Sequence, residues 1–241
     1  MNKKFNEVVI VGAVRTPIGA YKGAFKDIKA HSLGSIVIKE VLKRVNVSQD
    51  EVDEVIMGQV LTAGSGQNPA RQAAVSASIP ISKPAYLVNQ VCGSGLRAVI
   101  SGYQSIKLGE IKKVITGGQE NMSMAPHSIL SRYGKKISKD ALVDTMIYDG
   151  LIDAFNNYHM GVTAENVAEK FKITREEQDM YALNSQKKTQ IALNNNKFDE
   201  EIISINQNGN IIEKDEHPRI NLNISDLEKL KTCLLYTSPS P

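Results

Sequence analysis

Over its first 118 residues the chain alternates short, β-branched apolar runs with longer segments of helical periodicity, and each switch is marked by Gly, Pro, Asn or Ser. Val8–Val14 reads as a buried strand, stopped by Thr16-Pro17-Ile18-Gly19. A helix follows from about Ser32, with Leu33, Ile36, Val37, Val41 and Val45 on one face. Ser48-Gln49-Asp50-Glu51 has the spacing of a capping box. Val55–Leu61 predicts a second strand, and Asn68-Pro69 an N-cap and first helical residue for a helix through Ala77. Tyr86–Val91 predicts a third strand running straight into Cys92-Gly93-Ser94-Gly95. The helix Leu96–Leu108 is apolar on most sides, so burial is expected. Lys113–Thr116, closed by Gly117-Gly118, is the fourth strand. Such alternation specifies an α/β fold with a covered sheet.

The pattern changes at Gln119. From there to about Met160 the chain is rich in Met, Ser, Asp and Tyr, without clean periodicity. Thr163–Phe171 predicts a helix. Thr174-Arg175-Glu176-Glu177 is a capping box opening a longer helix to about Asn194. Ile202–Ile205 and Asn210–Ile212 flank Asn208-Gly209, a strong hairpin signal. Leu227–Lys231 looks helical again. The sequence therefore divides into an α/β region, 1–118, an inserted region, 119–231, and residues 232–241, which join no element and read as a non-native tail.

Charge and cysteine usage exclude several function classes. The 29 basic and 26 acidic residues leave a net charge of +3, too little for a nucleic-acid or anionic-membrane surface. No apolar run approaches the roughly 18 residues of a membrane helix. Only Cys92 and Cys233 occur, which rules out a disulfide framework and fits a reducing cytoplasm. The histidines His31, His127, His159 and His217 have no metal-ligand spacing, so no metal is expected.

Cys92 is the candidate for chemistry. At a strand-to-helix junction a thiol meets unpaired N–H groups and the positive end of the helix dipole, and both favour thiolate. Its own N–H and its neighbours' could donate to an oxyanion. An inert cysteine acting as a small apolar residue remains the alternative. His159, in Tyr158-His159-Met160-Gly161, precedes a helix and could face a site, or serve only as a hydrogen-bonded structural histidine.

Several longer stretches carry a resemblance. They are Val9–Gly19, Gly66–Gln72, Asn89–Arg97, Met122–His127, Asp144–Ile147, Asp149–Leu151, His159–Gly161 and Thr163–Asn166. Together they resemble the N-terminal part of the thiolase family, most closely its bacterial acetyl-CoA acetyltransferases, from about residue 6 to 231.

The resemblance implies a thiolase-like α/β fold of two similar halves, with a long insertion in the first half that binds coenzyme A and contributes to assembly. It implies that Cys92 takes an acetyl group from acetyl-CoA. A second acetyl-CoA then attacks to give acetoacetyl-CoA, and thiolysis is the reverse. By motif, Leu151, His159 and Met160 would line the pantetheine and acyl end, and Arg219 would lie by the adenine end. Met160 would narrow the acyl pocket. No cofactor is implied, since the coenzyme A thioesters are substrates. Partners would be further copies, in a homodimer or homotetramer with Met122–Tyr133 near the assembly region. Family members are longer, and the second half would bring an activating histidine, a second cysteine and an asparagine. The chain alone is therefore expected to be an inactive fragment. Gln119 stands where methionine is usual. A fatty-acid-degrading 3-ketoacyl-CoA thiolase, a non-catalytic coenzyme A-binding module and an α/β interaction module remain the other readings.

Overall fold

The computed structural model describes residues 7–132 and 141–230. These fall into two compact units. The first runs to Gly150 and takes in Glu201–Lys214; the second comprises Leu151–Glu200 and the residues from Asp215.

In the first unit, α1 (Ala30–Arg44), β1 (Glu54–Gly58), α2 (Pro69–Ser76), β2 (Ala85–Val88), α3 (Ser94–Leu108) and β3 (Val114–Gly118) follow in order. The strands form a parallel sheet in the order β2-β1-β3, with Val55 opposite both Ala85 and Ile115. Parallel neighbours need helical crossovers, and α2 and α3 supply them. Asn68 accepts from the Arg71 N–H at 3.1 Å, capping α2, and Pro69 begins the helix. Ala70, Ala73, Ala74 and Ala77 form an all-alanine face, which lets Ile38 and Leu42 of α1 pack with Val55 and Met57 of β1 in one core. A second cluster joins Phe25 and Leu33 to Ile205. Ile205 begins the hairpin of β6 (Ile205–Gln207) and β7 (Asn210–Ile212), whose turn residues Asn208 and Gly209 have φ of 52° and 90°. Between these parts lie a two-residue ladder, β4 (His127–Ser128) with β5 (Val143–Asp144), and the short α4 (Thr145–Gly150).

Two expectations are corrected. Val8–Val14 forms no strand, and Val9, Ile10 and Val11 face solvent, Ile10 at 81% exposure. The two edges of β1 are taken by β2 and β3. The segment's one pairing among the described residues is the bridge just past its end, where the Arg15 N–H donates to the Glu201 carbonyl (2.8 Å) and the Arg15 carbonyl accepts from the Ile203 N–H (3.0 Å).

The helix α3 is not buried on most sides either. Its buried residues are Ser94, Ala98 and Gly102, at intervals of four, while Leu96 is 68% exposed and Tyr103 is also exposed. The stripe of small residues sets the packing distance. A Cβ on Gly102 would meet Thr116 Cγ2 at 2.6 Å and Val114 Cγ1 at 2.9 Å. The helix lies too close to the sheet for its large side chains to sit between them.

The second unit holds α5 (Met160–Phe171), α6 (Arg175–Asn194) and α7 (Ile224–Glu228). The capping box is present at α6: Thr174 Oγ1 accepts from the Glu177 N–H at 3.2 Å, and Glu177 accepts from the Thr174 N–H at 2.8 Å. The Arg175 guanidinium donates to the Leu227 and Leu230 carbonyls at 2.8 and 3.0 Å, docking α7 on α6. No helix among the described residues is long and apolar enough to cross a membrane.

Candidate active site

Cys92 sits on the turn between β2 and α3, with its side chain exposed. The turn is tight because Val91, just before it, has φ of 48°. A β-branched residue in the left-handed region costs on the order of 1–3 kcal/mol and persists only where its surroundings enforce it. Both peptide units of Val91 are held. Its N–H donates to Asn89 Oδ1 at 3.0 Å. Its carbonyl accepts from Ser94 Oγ at 2.5 Å and from the Ser94 N–H at 3.0 Å. Ser94 Oγ in turn accepts from the Gln90 N–H at 2.8 Å, and the Arg97 guanidinium donates to Gln90 Oε1 at 2.7 Å.

The first turn of α3 rests on the ends of the strands. A Cβ on Gly58 would collide with the Gly95 nitrogen and the Ser94 carbonyl carbon, and would reach the Ser94 oxygen at 2.7 Å. These are backbone atoms that cannot step aside. Gly58→Ala should therefore destabilise the protein by about 1–3 kcal/mol, the usual scale of overpacking, read as a lower urea midpoint. An unchanged midpoint would mean that α3 can lift off the sheet freely.

The loop after β1 is held by a carboxylate. Glu120 accepts from the Val60 N–H at 2.8 Å and the Leu61 N–H at 3.3 Å, and Asn89 Nδ2 reaches the Val60 carbonyl at 3.5 Å. Gln119 is buried beside it, its amide donating to Gln59 Oε1 at 2.9 Å. Burial pushes the Glu120 carboxyl above its ordinary value, against the pull of the Val60, Leu61 and Asn121 N–H groups. The folded state thus holds this proton more tightly than the unfolded chain. The contribution is fully present below the unfolded value and is lost as pH rises through the folded one. Glu120→Gln should remove that slope, flattening the fall in urea midpoint from mildly acid to neutral pH. An equally steep fall would assign it to another group.

In the second unit, Leu151, His159 and Met160 are brought together. An antiparallel bridge joins Ile152 to His159, and the Met160 N–H donates to the Leu151 carbonyl at 2.8 Å. His159 caps α5, its Nδ1 accepting from the Gly161 N–H at 3.0 Å, which leaves the ring proton on Nε2. Leu151 is half-buried and Met160 is 46% exposed. Arg219 lies elsewhere in this unit, along α6. Its N–H donates to Gln186 Oε1 at 2.9 Å, and its side chain is exposed. Cys92 belongs to the first unit and the other four residues to the second. Cys233, Tyr133 and the tail 232–241 lie outside the described residues, and among those described no three His, Cys, Asp or Glu side chains group as a metal site requires.

Sequence reasoning passed over Asn89 and Ser94, which shape the turn. The signal was present in Asn89, whose side chain can bond the N–H two residues on.

Residues 8–235 match the model of the thiolase N-terminal domain. The chain belongs to the thiolase family. Its relatives include an acetyl-CoA acetyltransferase of Rhizobium meliloti (strain 1021), 50% identical over 228 residues, and a probable acetyl-CoA acetyltransferase of Escherichia coli (strain K12), 48% identical over 229. A probable acetyl-CoA acyltransferase of Staphylococcus aureus (strain COL) is 48% identical over 230 residues. Each alignment covers 93% of this thiolase chain and 58% of the relative, so the chain spans less than two thirds of their length.

Proposed function

We propose that this chain is the nucleophile-bearing part of an acetyl-CoA C-acetyltransferase. The observation that carries the reading is the exposed Cys92 thiol on a strained turn whose conformation its neighbours enforce. The Cys92 thiolate attacks the thioester carbon of acetyl-CoA. The oxyanion that forms accepts from the Cys92 N–H, because the Gly93 and Ser94 N–H groups already donate to the Gln90 and Val91 carbonyls. Collapse breaks the carbon–sulfur bond to coenzyme A, which leaves as the thiol after taking a proton, and Cys92 keeps the acetyl group. A base removes a proton from the methyl of a second acetyl-CoA. The enolate carbon attacks the acetyl-cysteine, Cys92 leaves as thiolate, and acetoacetyl-CoA is released. Each step is thiol, proton or enolate chemistry, so coenzyme A thioesters suffice as substrates without a further cofactor.

The second unit would hold the coenzyme A arm: Leu151, His159 through Nε2, and Met160 toward the pantetheine and acyl end, Arg219 toward the adenine phosphates. The exposure of Met160 and Arg219 supports this. The working protein would be a cytoplasmic homodimer or homotetramer.

The name acyltransferase on the Staphylococcus relative favours a second reading, a 3-ketoacyl-CoA thiolase of broader chain length. A thiolysis assay on the full-length protein, with coenzyme A and 3-ketoacyl-CoA of increasing length, separates the two. Fastest cleavage of acetoacetyl-CoA is the expected result. Fastest cleavage of a longer chain would select the second reading, and cleavage of none would sink both.

A further inference from the structure

The turn around Cys92 contains two side chains that no step of the proposed reaction uses. Ser94 is 4% exposed, yet its hydroxyl is fully engaged: it accepts from the Gln90 N–H at 2.8 Å and donates to the Val91 carbonyl at 2.5 Å. Asn89 is exposed, and its Oδ1 takes the Val91 N–H at 3.0 Å. These bonds bracket the one β-branched residue of the turn, at φ 48°.

The consequence for Cys92 follows from peptide planarity. The Val91 carbonyl and the Cys92 N–H belong to one peptide unit, and among the described residues no peptide is cis. In a trans peptide the C=O and N–H point in opposite directions. Ser94 draws the Val91 carbonyl into the first turn of α3. The Cys92 N–H is thereby turned away from the helix. Asn89 fixes the peptide on the other side of Val91, so the plane cannot relax by rotation at that residue.

We propose that Ser94 and Asn89 are positioning residues which aim the Cys92 N–H as an oxyanion donor by pinning the Val91 peptide. The proposal rests on the reading of Cys92 as the nucleophile. Neither side chain touches substrate; both act through the backbone. Ser94 is the stronger of the two, because its site is buried and water has poor access to replace it.

Two reactions of the same thiol test this. Thiolysis of acetoacetyl-CoA passes through an oxyanion, whereas alkylation of Cys92 by iodoacetamide forms none. In the full-length protein Ser94→Ala should lower kcat for thiolysis about 10–100-fold, a part of the 10²–10³-fold that losing an oxyanion donor outright costs. The rate of Cys92 alkylation should stay at the parent value. Asn89→Ala, at an exposed position, should show the same split more weakly, and Asn89→Asp, which keeps Oδ1, should restore kcat. Parallel loss of both rates in Ser94→Ala and Asn89→Ala would mean general loosening of the turn and overturn the proposal, as would kcat unchanged in both. If Ser94→Ala fails to fold, the two Asn89 variants decide alone. Should Cys92→Ala in the unmodified background keep parental turnover, the nucleophile reading fails first, and the proposal falls with it.

Discussion

Replacing Cys92 by alanine in the full-length protein should lower thiolysis of acetoacetyl-CoA by about 10⁶-fold, the scale seen when an enzyme that works through a covalent intermediate loses its nucleophile. The size follows from the division of labour on the turn. The backbone donor at residue 92 survives the substitution, and so does the clamp on Val91, but the atom that takes the acetyl group is gone. Stability should hardly move. The Cys92 side chain is exposed, and surface substitutions away from special features stay within about 0.5 kcal/mol. The two readouts together separate loss of chemistry from loss of fold. A melting temperature several degrees lower would point to Cys92 as a packing residue. Retained turnover would remove it from the mechanism.

A polypeptide of residues 1–241, prepared by itself, should show no thiolysis above background. Condensation needs a nucleophile, a base that forms the enolate and donors for two oxyanions. No histidine or carboxylate among the described residues is hydrogen-bonded to Cys92. Where the base and one oxyanion donor come from a second half, as the family resemblance implies, their absence costs about 10²–10⁴-fold and about 10²–10³-fold more. Solubility should suffer as well. Val9, Ile10 and Val11 face solvent in the first unit, as do Leu96, Ile100 and Tyr103 of α3. Among the described residues β3 is paired on one side only. Exposed apolar patches and open strand edges promote association. Size-exclusion chromatography should show oligomers or aggregate. A soluble monomer turning over at ordinary enzyme rates would contradict both parts of this expectation.

Much of the fold was legible because its signals are local. The β-branched runs gave β1, β2 and β3, the capping residues Asn68 and Thr174 gave the starts of α2 and α6, and Asn208-Gly209 gave the hairpin. Pairing is not local. An apolar run such as Val8–Val14 says that a segment suits burial, not whether it will pair: it joins neither β1, whose two edges are taken, nor the outer edge of β3. The α3 helix misled for a related reason: the residues that set its packing, Ser94, Ala98 and Gly102, are small and carry little hydrophobic signal, while Leu96 and Tyr103 dominate the pattern. The ladder of β4 and β5, two residues each, is too short to leave a period.

At the candidate site, the strand–Cys–Gly–Ser–Gly–helix junction was readable from turn chemistry. The left-handed Val91 was not, since valine is a poor choice for positive φ on propensity alone. It becomes intelligible only with Asn89 and Ser94 bonded to its two peptide units. The capping role of His159 was likewise invisible, because a histidine one residue before a helix does not announce which ring nitrogen will be used.

In the proposed reaction Cys92 carries the acyl group between two coenzyme A thioesters. The most direct measurement is to mix the full-length protein with acetyl-CoA, quench in acid within one turnover, digest and locate the acetyl group by tandem mass spectrometry. A single acetyl group on Cys92, lost when coenzyme A is added before the quench, is the expected result. Acetylation of any other residue, or none on Cys92 in a protein that still cleaves acetoacetyl-CoA, would contradict it.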